Sequence, residues 1–247
     1  MGALLDGARL AGLQGLCAVG TSLQASQQAA SLAQEHGPYV FASAGLHPHL
    51  ARHWHRDAAA FGGLLRQQPS LAVGECGLDY FRMLSTRAEQ RKAFCEQLAL
   101  AQELQRPVIL HEREAFEDML SILKDMGAGL RGVVHCFTGS PAQALAYLEL
   151  GLDLGVTGWL ADMRRAQPLR EAIAHIPLDR LHLETDAPYL LPRNMPRPLQ
   201  KAAGGTNLPQ YLPWVAQEAS QLLGLPVEFV ASRTAQNSLR LLSPLLA

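Results

Sequence analysis

Five side chains of types that commonly bind metal ions follow separate apolar segments of the chain. They are His47, Glu75, His111, His135 and Asp186. Neutral imidazoles and carboxylates together form sites for divalent cations that keep open coordination positions. A cation in such a site polarises a phosphoryl oxygen and lowers the pKa of bound water toward neutrality. The pattern therefore predicts metal-dependent hydrolysis of a phosphodiester, with Mg²⁺, Mn²⁺ or Zn²⁺ as candidate ions.

A structural role is the simpler explanation for any one of these histidines taken alone. Five ligand-type residues after five separate segments nevertheless favour a metal site. Cys76 and Cys136 are interpreted as small core residues, because neither has a histidine–carboxylate pair at a recognisable local spacing. Five other histidines are predicted to be surface or core residues: His36, His53, His55, His175 and His182.

Short apolar runs alternate with longer helical patterns along the chain. The segment Glu89–Leu104 has apolar residues three and four apart, which is typical of an amphipathic helix. Apolar strands separated by helices indicate a parallel sheet covered on both faces, and their spacing fits a TIM (β/α) barrel. The carboxyl ends of such strands would bring the ligand-type residues to one face. The predicted strands are Gly15–Gly20, Tyr39–Gly45, Leu71–Glu75, Pro107–His111, Gly132–His135, Leu152–Thr157 and Leu181–Glu184.

The strand count is one short of the eight that a barrel needs. Met1–Leu13 has the apolar spacing of a helix, and Leu208–Leu246 is helical and interrupted by prolines. A doubly wound open sheet is the alternative, but the Gly-rich segment Ala203–Gly205 does not follow a strand, as a dinucleotide-binding motif would. We therefore expect one α/β hydrolase domain over residues 1–247, a TIM barrel with seven of its eight strands.

The charge balance argues against a protein that coats nucleic acid through bulk charge, because the net charge is −1 and such proteins are usually basic. Any phosphate-bearing partner would be held locally, by arginines or by a bound cation. The candidate cationic side chains follow predicted strands: Arg82, Arg113, Arg164, Arg165, Arg193, Arg197 and Lys201. Four aromatic residues near the strand ends could stack on bases: Tyr80, Phe81, Trp159 and Tyr189.

The cysteines and the apolar segments indicate the compartment. Four cysteines without Cys-x-x-Cys spacing are typical of reduced cytoplasmic thiols. The chain has no apolar run long enough to span a membrane, and its start lacks the basic region and apolar core of a signal peptide. We expect a cytoplasmic protein with no membrane partner. A monomer is favoured, although the sequence does not determine the oligomeric state.

Five motifs carry a resemblance to a known family. GLHPH, AVGECGLDY, PVILHEREA, GVVHCFTGS and HLETDAPYLLPRN closely resemble the signature motifs of the TatD family of metal-dependent deoxyribonucleases. The similarity extends from Leu4 to Leu242, and Asp153–Arg165 (DLGVTGWLADMRR) resembles the TatD branch in particular. The resemblance implies a barrel of the metal-dependent hydrolase type. It also implies 3′-to-5′ exonuclease activity on single-stranded DNA or RNA, with Mg²⁺ expected and Mn²⁺ or Zn²⁺ as alternatives.

The resemblance also implies roles for individual residues. The family's metal ligands fall on Glu75, His111, His135 and Asp186. Asp186 would also act as general base toward the attacking water. His47 would lie close to metal or phosphate. Asp186, Glu75 and His47 together form the implied catalytic set. The implied substrate contacts are His47, His49, Arg113 and Asn207.

Two departures from the family pattern bear on activity. The family's first strand, which often ends in an Asp-x-His-x-His motif, is missing, so we expect a misassigned start site or a shortened paralogue with an open barrel. In the usual Arg-Asn-Glu-Pro motif, Thr206 and Leu208 replace the arginine and the glutamate, while Asn207 and Pro209 remain. The alternatives to a nuclease are a truncated paralogue without catalysis and another amidohydrolase-type hydrolase. The second is disfavoured because His111 stands where a carboxylated lysine would be expected.

Overall fold

A computed structural model describes residues 1–127 and 129–243. All seven predicted strands form. They are β1 Leu16–Ala18, β2 Val40–Ala44, β3 Leu71–Asp79, β4 Val108–Arg113, β5 Gly132–Val134, β6 Asp153–Val156 and β7 Leu181–Leu183. The α-helices are α1 Gly2–Leu10, α2 Leu23–His36, α3 Trp54–Gln67, α4 Arg87–Glu103, α5 Phe116–Asp125, α6 Pro141–Glu149, α7 Gln167–Ala172, α8 Arg197–Ala203, α9 Leu212–Leu223 and α10 Val227–Leu242.

The described residues divide into two compact units. Unit A comprises Gly15–His135, Leu150–Leu152 and the described residues after Ser238. Unit B comprises Met1–Gln14, Cys136–Glu149 and Asp153–Ser238. The single hydrolase domain expected over residues 1–247 stays a prediction.

Unit A contains the parallel strands β1 to β5, each hydrogen-bonded to the next along the chain. Strand β3 is buried at every position. Phe41, Ala72, Ile109 and Val133, one from each of β2 to β5, form an apolar cluster on which Leu241 and Leu242 also pack. Burial of this cluster stabilises the sheet whose strand ends carry the ligand-type residues.

Unit B contains the parallel pair β6 and β7, in which Leu154 pairs with Leu181 and Val156 with Leu183. His182 is 5% exposed, and its ring bonds Asp153 and the Ser238 hydroxyl, so of the two expected placements, surface or core, it takes the core. The predicted N-terminal helix forms as α1, with Leu5 and Ala8 buried.

The helical prediction for the C-terminal part is confirmed by α9 and α10, and its residues 244–246 lie outside the described residues. Among the described residues, no helix has the length and apolar character needed to cross a membrane.

Candidate metal centre

Four predicted site residues of unit A come together at the ends of neighbouring parallel strands. His47 follows β2, Glu75 and His111 lie within β3 and β4, and His135 follows β5. Glu75 Oε1 lies 2.8 Å from His111 Nδ1, 3.6 Å from His47 Nε2 and 3.8 Å from His135 Nε2. None of these side chains is more than 20% exposed. Three imidazoles thus face one buried carboxylate.

The donor set fits a divalent cation. Ligand atoms that share one ion stand at most about 4.2 Å apart, because each lies about 2.1 Å from the ion. The three distances from Glu75 Oε1 to the imidazole nitrogens are within that limit. One ligand atom each from His47, Glu75 and His111 lie within 4.8 Å of one another, a group that needs only a small contraction to close around one ion. The residues are therefore suited in type and spacing to hold a metal ion.

The charges in the cluster are set by burial and by these contacts. Burial would raise the pKa of Glu75, but the hydrogen bond from His111 and the nearby imidazoles lower it to about 2. Burial would lower the pKa of His111, yet its hydrogen bonds to Asp79 and Glu75 raise it to about 9. Without a bound metal, the His111 imidazolium therefore supplies the positive charge beside Glu75 that a bound metal ion would otherwise supply.

His47 differs from the other two imidazoles of the cluster. Its Nδ1 accepts a hydrogen bond from the backbone N–H of His49, so the neutral ring carries its proton on Nε2, which faces Glu75. Desolvation by burial lowers the pKa of His47 to about 4, so the ring is neutral at pH 7. A ring with its proton on Nε2 presents a donor, which suits contact with a phosphate oxygen better than ligation of a metal.

Asp79 is a site residue that sequence reasoning missed. Its side chain is 1% exposed, and Oδ2 lies 2.7 Å from His49 Nε2 and 3.3 Å from His111 Nε2. This contact leaves His111 Nδ1 facing Glu75, the arrangement of a carboxylate–histidine–metal triad. Hydrogen bonds from His111, the Arg82 backbone and His49 outweigh burial and hold the pKa of Asp79 well below its usual range. Its spacing of four residues from Glu75 was the available signal, since alternate strand residues share a face.

Two buried glutamines on α4 hold the strand ends in place. Gln97 accepts a hydrogen bond from the backbone N–H of Leu46 and donates to the Leu46 carbonyl, directly before His47. Gln90 does the same for the backbone N–H and carbonyl of Asp79. Seven residues separate the glutamines, which places them two turns apart on one helix face. Helix α4 therefore positions the backbone on both sides of the cluster.

Two further predicted site residues, Asp186 and Asn207, lie in unit B. Asp186 is in the loop after β7, with a positive φ of 53°. Asn207 is fully buried, and its amide donates to the carbonyls of Thr185 and Leu190 and accepts from the Leu208 N–H. Asn207 thus supports the loop that carries Asp186, which favours an indirect role over direct contact with substrate. The roles assigned to Asp186 remain predictions.

The candidate phosphate-binding arginines fall into two groups. Arg164, Arg165 and Arg193 each form an ion pair with Asp162, whose side chain is 3% exposed. Arg82, Arg113 and Arg197 have no carboxylate within ion-pair distance among residues 1–127 and 129–243. The second group keeps its charge available to an anionic ligand.

A family model described as TatD related DNase matches residues 2–243 of this chain. The chain belongs to the TatD family. The predicted membership in a family of metal-dependent nucleases is therefore confirmed. The 3′-5′ ssDNA/RNA exonuclease TatD of Erwinia amylovora is 47% identical over 234 residues, covering 94% of this chain and 89% of the relative. The protein of the same name from Klebsiella pneumoniae is 44% identical over 93% of this chain and 87% of its own.

Solved structures confirm the predicted α/β fold of the TIM-barrel hydrolase type. A TatD homologue from Escherichia coli superposes with a TM-score of 0.84 at 29% identity, covering 98% of this TatD-family chain and 91% of its own. A TatD family hydrolase from Entamoeba histolytica has a TM-score of 0.86 at 23% identity, and the match covers 98% of this chain and 88% of the hydrolase. The organophosphorus hydrolase of Deinococcus radiodurans, with a TM-score of 0.62 at 16% identity over 97% of this chain and 80% of its own, shares the fold alone.

Replacing Asp79 by asparagine should lower the affinity for Mn²⁺ by about 10- to 100-fold, as is typical when the carboxylate partner of a metal-binding histidine is removed. The neutral amide would no longer hold His111 and His49 by charge-assisted hydrogen bonds. Isothermal titration of the metal-free protein with Mn²⁺ measures the affinity. The exposed Asp125→Asn is the matched control, and equal affinities of the two variants would contradict a role for Asp79.

The metal-free protein should be most stable near pH 6.5. The pKa of His111 is raised to about 9, so its contribution is complete below pH 6.5 and is lost as the pH rises through 9. The pKa of His47 is lowered to about 4, so protonation of the unfolded chain reduces stability as the pH falls from 6.5 to 4. Urea unfolding in EDTA across pH 4–10 measures the profile. A midpoint that rises steadily between pH 6.5 and 9 would contradict the assigned His111 charge.

Proposed function

We propose that this TatD-family chain is a metal-dependent 3′-to-5′ exonuclease that acts on single-stranded DNA or RNA. The observation that carries the proposal is the buried Glu75 carboxylate, faced within 3.8 Å by the imidazoles of His47, His111 and His135. The names of relatives that are 44% to 47% identical support the substrate class and the direction of cleavage.

Glu75, His111 and His135, with Asp186 from the sequence motif, are the residues that would hold the metal, with Mg²⁺ expected and Mn²⁺ or Zn²⁺ as alternatives. When bound, the metal polarises the scissile phosphoryl oxygen and activates a water molecule. Asp186 is proposed to accept a proton from the attacking water.

Other residues of this chain orient the substrate. His47 presents its Nε2 proton to a phosphate oxygen, and Arg113 supplies a guanidinium whose charge is not paired within the described residues. His49 is the third proposed substrate contact, held in place by Asp79. Asn207 supports the Asp186 loop from behind. His47, His49 and Arg113 together bind and align a phosphodiester.

A single-stranded oligonucleotide assay tests the proposal. With a 5′ label, wild-type protein and Mg²⁺ or Mn²⁺ should give a ladder of products shortened from the 3′ end, and EDTA should abolish it. Asp186→Asn should remove the activity, while the exposed Asp125→Asn should retain it. Ribo- and deoxyribo-oligonucleotides of one sequence, compared at equal concentration, rank the two substrates.

Other outcomes identify the alternatives. Cleavage of a circular single strand would contradict the exonuclease activity, because a circle has no end from which an exonuclease could start. A folded, metal-loaded protein that cleaves no oligonucleotide would instead be a TatD paralogue without catalysis or another hydrolase of this fold. We also propose a cytoplasmic monomer, consistent with the scattered cysteines. Light scattering and the localisation of a tagged chain test these two points.

A further inference from the structure

The loop after β3 exposes apolar side chains beside the polar cluster. Phe81, Met83 and Leu84 are 52%, 44% and 52% exposed, although they follow a strand that is buried throughout. Adjacent large apolar side chains in solvent commonly mark a binding surface. Phe81, Met83 and Leu84 therefore form an exposed apolar surface beside the cluster.

A cation lies against the aromatic ring of this loop. The guanidinium carbon of Arg113 stands 3.8 Å from the centroid of the Phe81 ring. Arg113 ends β4 and pairs in register with Asp79, so the strand pairing itself brings the cation next to the loop. Because Phe81 remains half exposed beside this guanidinium, it can accept a second planar group.

The loop is fixed to the histidine cluster by Asp79. Asp79 Oδ1 accepts hydrogen bonds from the backbone N–H groups of Phe81 at 3.0 Å and Arg82 at 2.7 Å. Its Oδ2 contacts His49 and His111. One buried carboxylate therefore sets the spacing between the exposed ring and the candidate metal ligands.

Two of the three other aromatic candidates, Tyr80 and Trp159, are already engaged. The hydroxyl of Tyr80 donates to Asp118, and Arg87 covers its ring. The cation over the Trp159 ring is Arg165, which is paired with Asp162. The Phe81–Arg113 pair combines an exposed ring with a guanidinium that has no carboxylate partner in the described part of the chain.

We propose that Phe81 and Arg113 form a nucleotide-binding subsite of the substrate strand. A nucleobase stacks on the open surface of the Phe81 ring, and the adjoining phosphate pairs with the Arg113 guanidinium. The ligand class, single-stranded nucleic acid, rests on the proposed function. Stacking on one ring tolerates any base, because every base has a π-face, so the subsite contributes affinity without sequence preference.

Binding of an oligonucleotide that carries 2-aminopurine tests the subsite without hydrolysis. In EDTA, stacking on Phe81 should quench the fluorescence of the bound analogue. Phe81→Ala should weaken binding by about 5- to 150-fold, the range for loss of one base–aromatic stack, and remove the quenching. Phe81→Tyr should restore both, because it keeps the ring.

A control variant and a control ligand separate stacking from other effects. Phe229 on α10 is similarly exposed at 49%, and Phe229→Ala should leave binding and quenching unchanged. An oligomer of abasic residues should bind equally well to wild-type protein and Phe81→Ala. Absence of binding by wild-type protein, or equal affinities of wild-type protein and Phe81→Ala for the base-containing strand, would overturn the subsite. Intact binding and quenching without cleavage in Mg²⁺ would instead refute the proposed exonuclease and leave the subsite standing.

Discussion

Replacing Glu75 by glutamine should lower kcat/KM for oligonucleotide hydrolysis by about 10³-fold or more. A catalytic metal contributes several kcal/mol to the transition state, and each 1.36 kcal/mol is a factor of ten in rate. Glu75 is the carboxylate that all three imidazoles face. The glutamine amide has the same shape and can still place an oxygen or an NH₂ group there, but it carries no negative charge. The loss should therefore arise from the charge, with the fold retained.

The matched control for this substitution is Glu117→Gln, which makes the same chemical change in the first turn of α5 at an exposed position. It should keep wild-type activity. Initial rates over a range of Mg²⁺ concentrations, with circular dichroism as a check of folding, provide the comparison. Activity of Glu75→Gln within tenfold of the control at saturating Mg²⁺ would show that another carboxylate holds the metal.

Gly77→Ala should reduce the free energy of unfolding by about 3 kcal/mol or more. A Cβ atom at this position would lie only 1.9 Å from the His111 carbonyl oxygen, and the residue has a φ of +147°, a conformation that L side chains rarely adopt. The strained backbone costs about 1–3 kcal/mol, and forcing an extra methyl group into a packed core typically costs another 1–3 kcal/mol. Because Gly77 pairs with His111 across β3 and β4, the clash would also displace a proposed metal ligand.

Gly63→Ala in the middle of α3 is the contrasting variant. Apart from its chain neighbours and the backbone of its own helix, no atom lies within 4 Å of the position that a Cβ would take at Gly63, so the added methyl group should stabilise the helix by about 0.5–1 kcal/mol. Urea midpoints of the two variants should therefore move in opposite directions, and Mn²⁺ affinity should fall only for Gly77→Ala. An unchanged midpoint for Gly77→Ala would mean that β3 and β4 separate easily at this point.

The sequence by itself determined the strands, the family and which ligand-type residues come together in the cluster. Apolar runs separated by helical patterns predict parallel strands, because only strands buried on both faces are apolar throughout. Carboxyl ends of neighbouring parallel strands lie side by side, so the convergence of Glu75, His111 and His135 followed from their positions alone. The motifs around them identified the family without reference to the fold.

Tertiary structure alone decided which polar groups hydrogen-bond to those ligands and to the backbone beside them. Asp79, Gln90 and Gln97 look ordinary in a buried strand and an amphipathic helix, since their partners are 11 to 51 residues away in the chain. The placement of Asn207 against loop carbonyls depends on such contacts as well.

Which arginines are free to bind an anion was also decided only by the tertiary structure. Arg113 and Arg165 are alike in sequence, since each follows a predicted strand. In the structure, Arg165 is paired with the buried Asp162, whereas Arg113 lies over the ring of the exposed Phe81. Local spacing sets the face on which a side chain lies, but charge pairing and hydrogen bonding depend on atoms that only the packed chain brings within 3 to 4 Å.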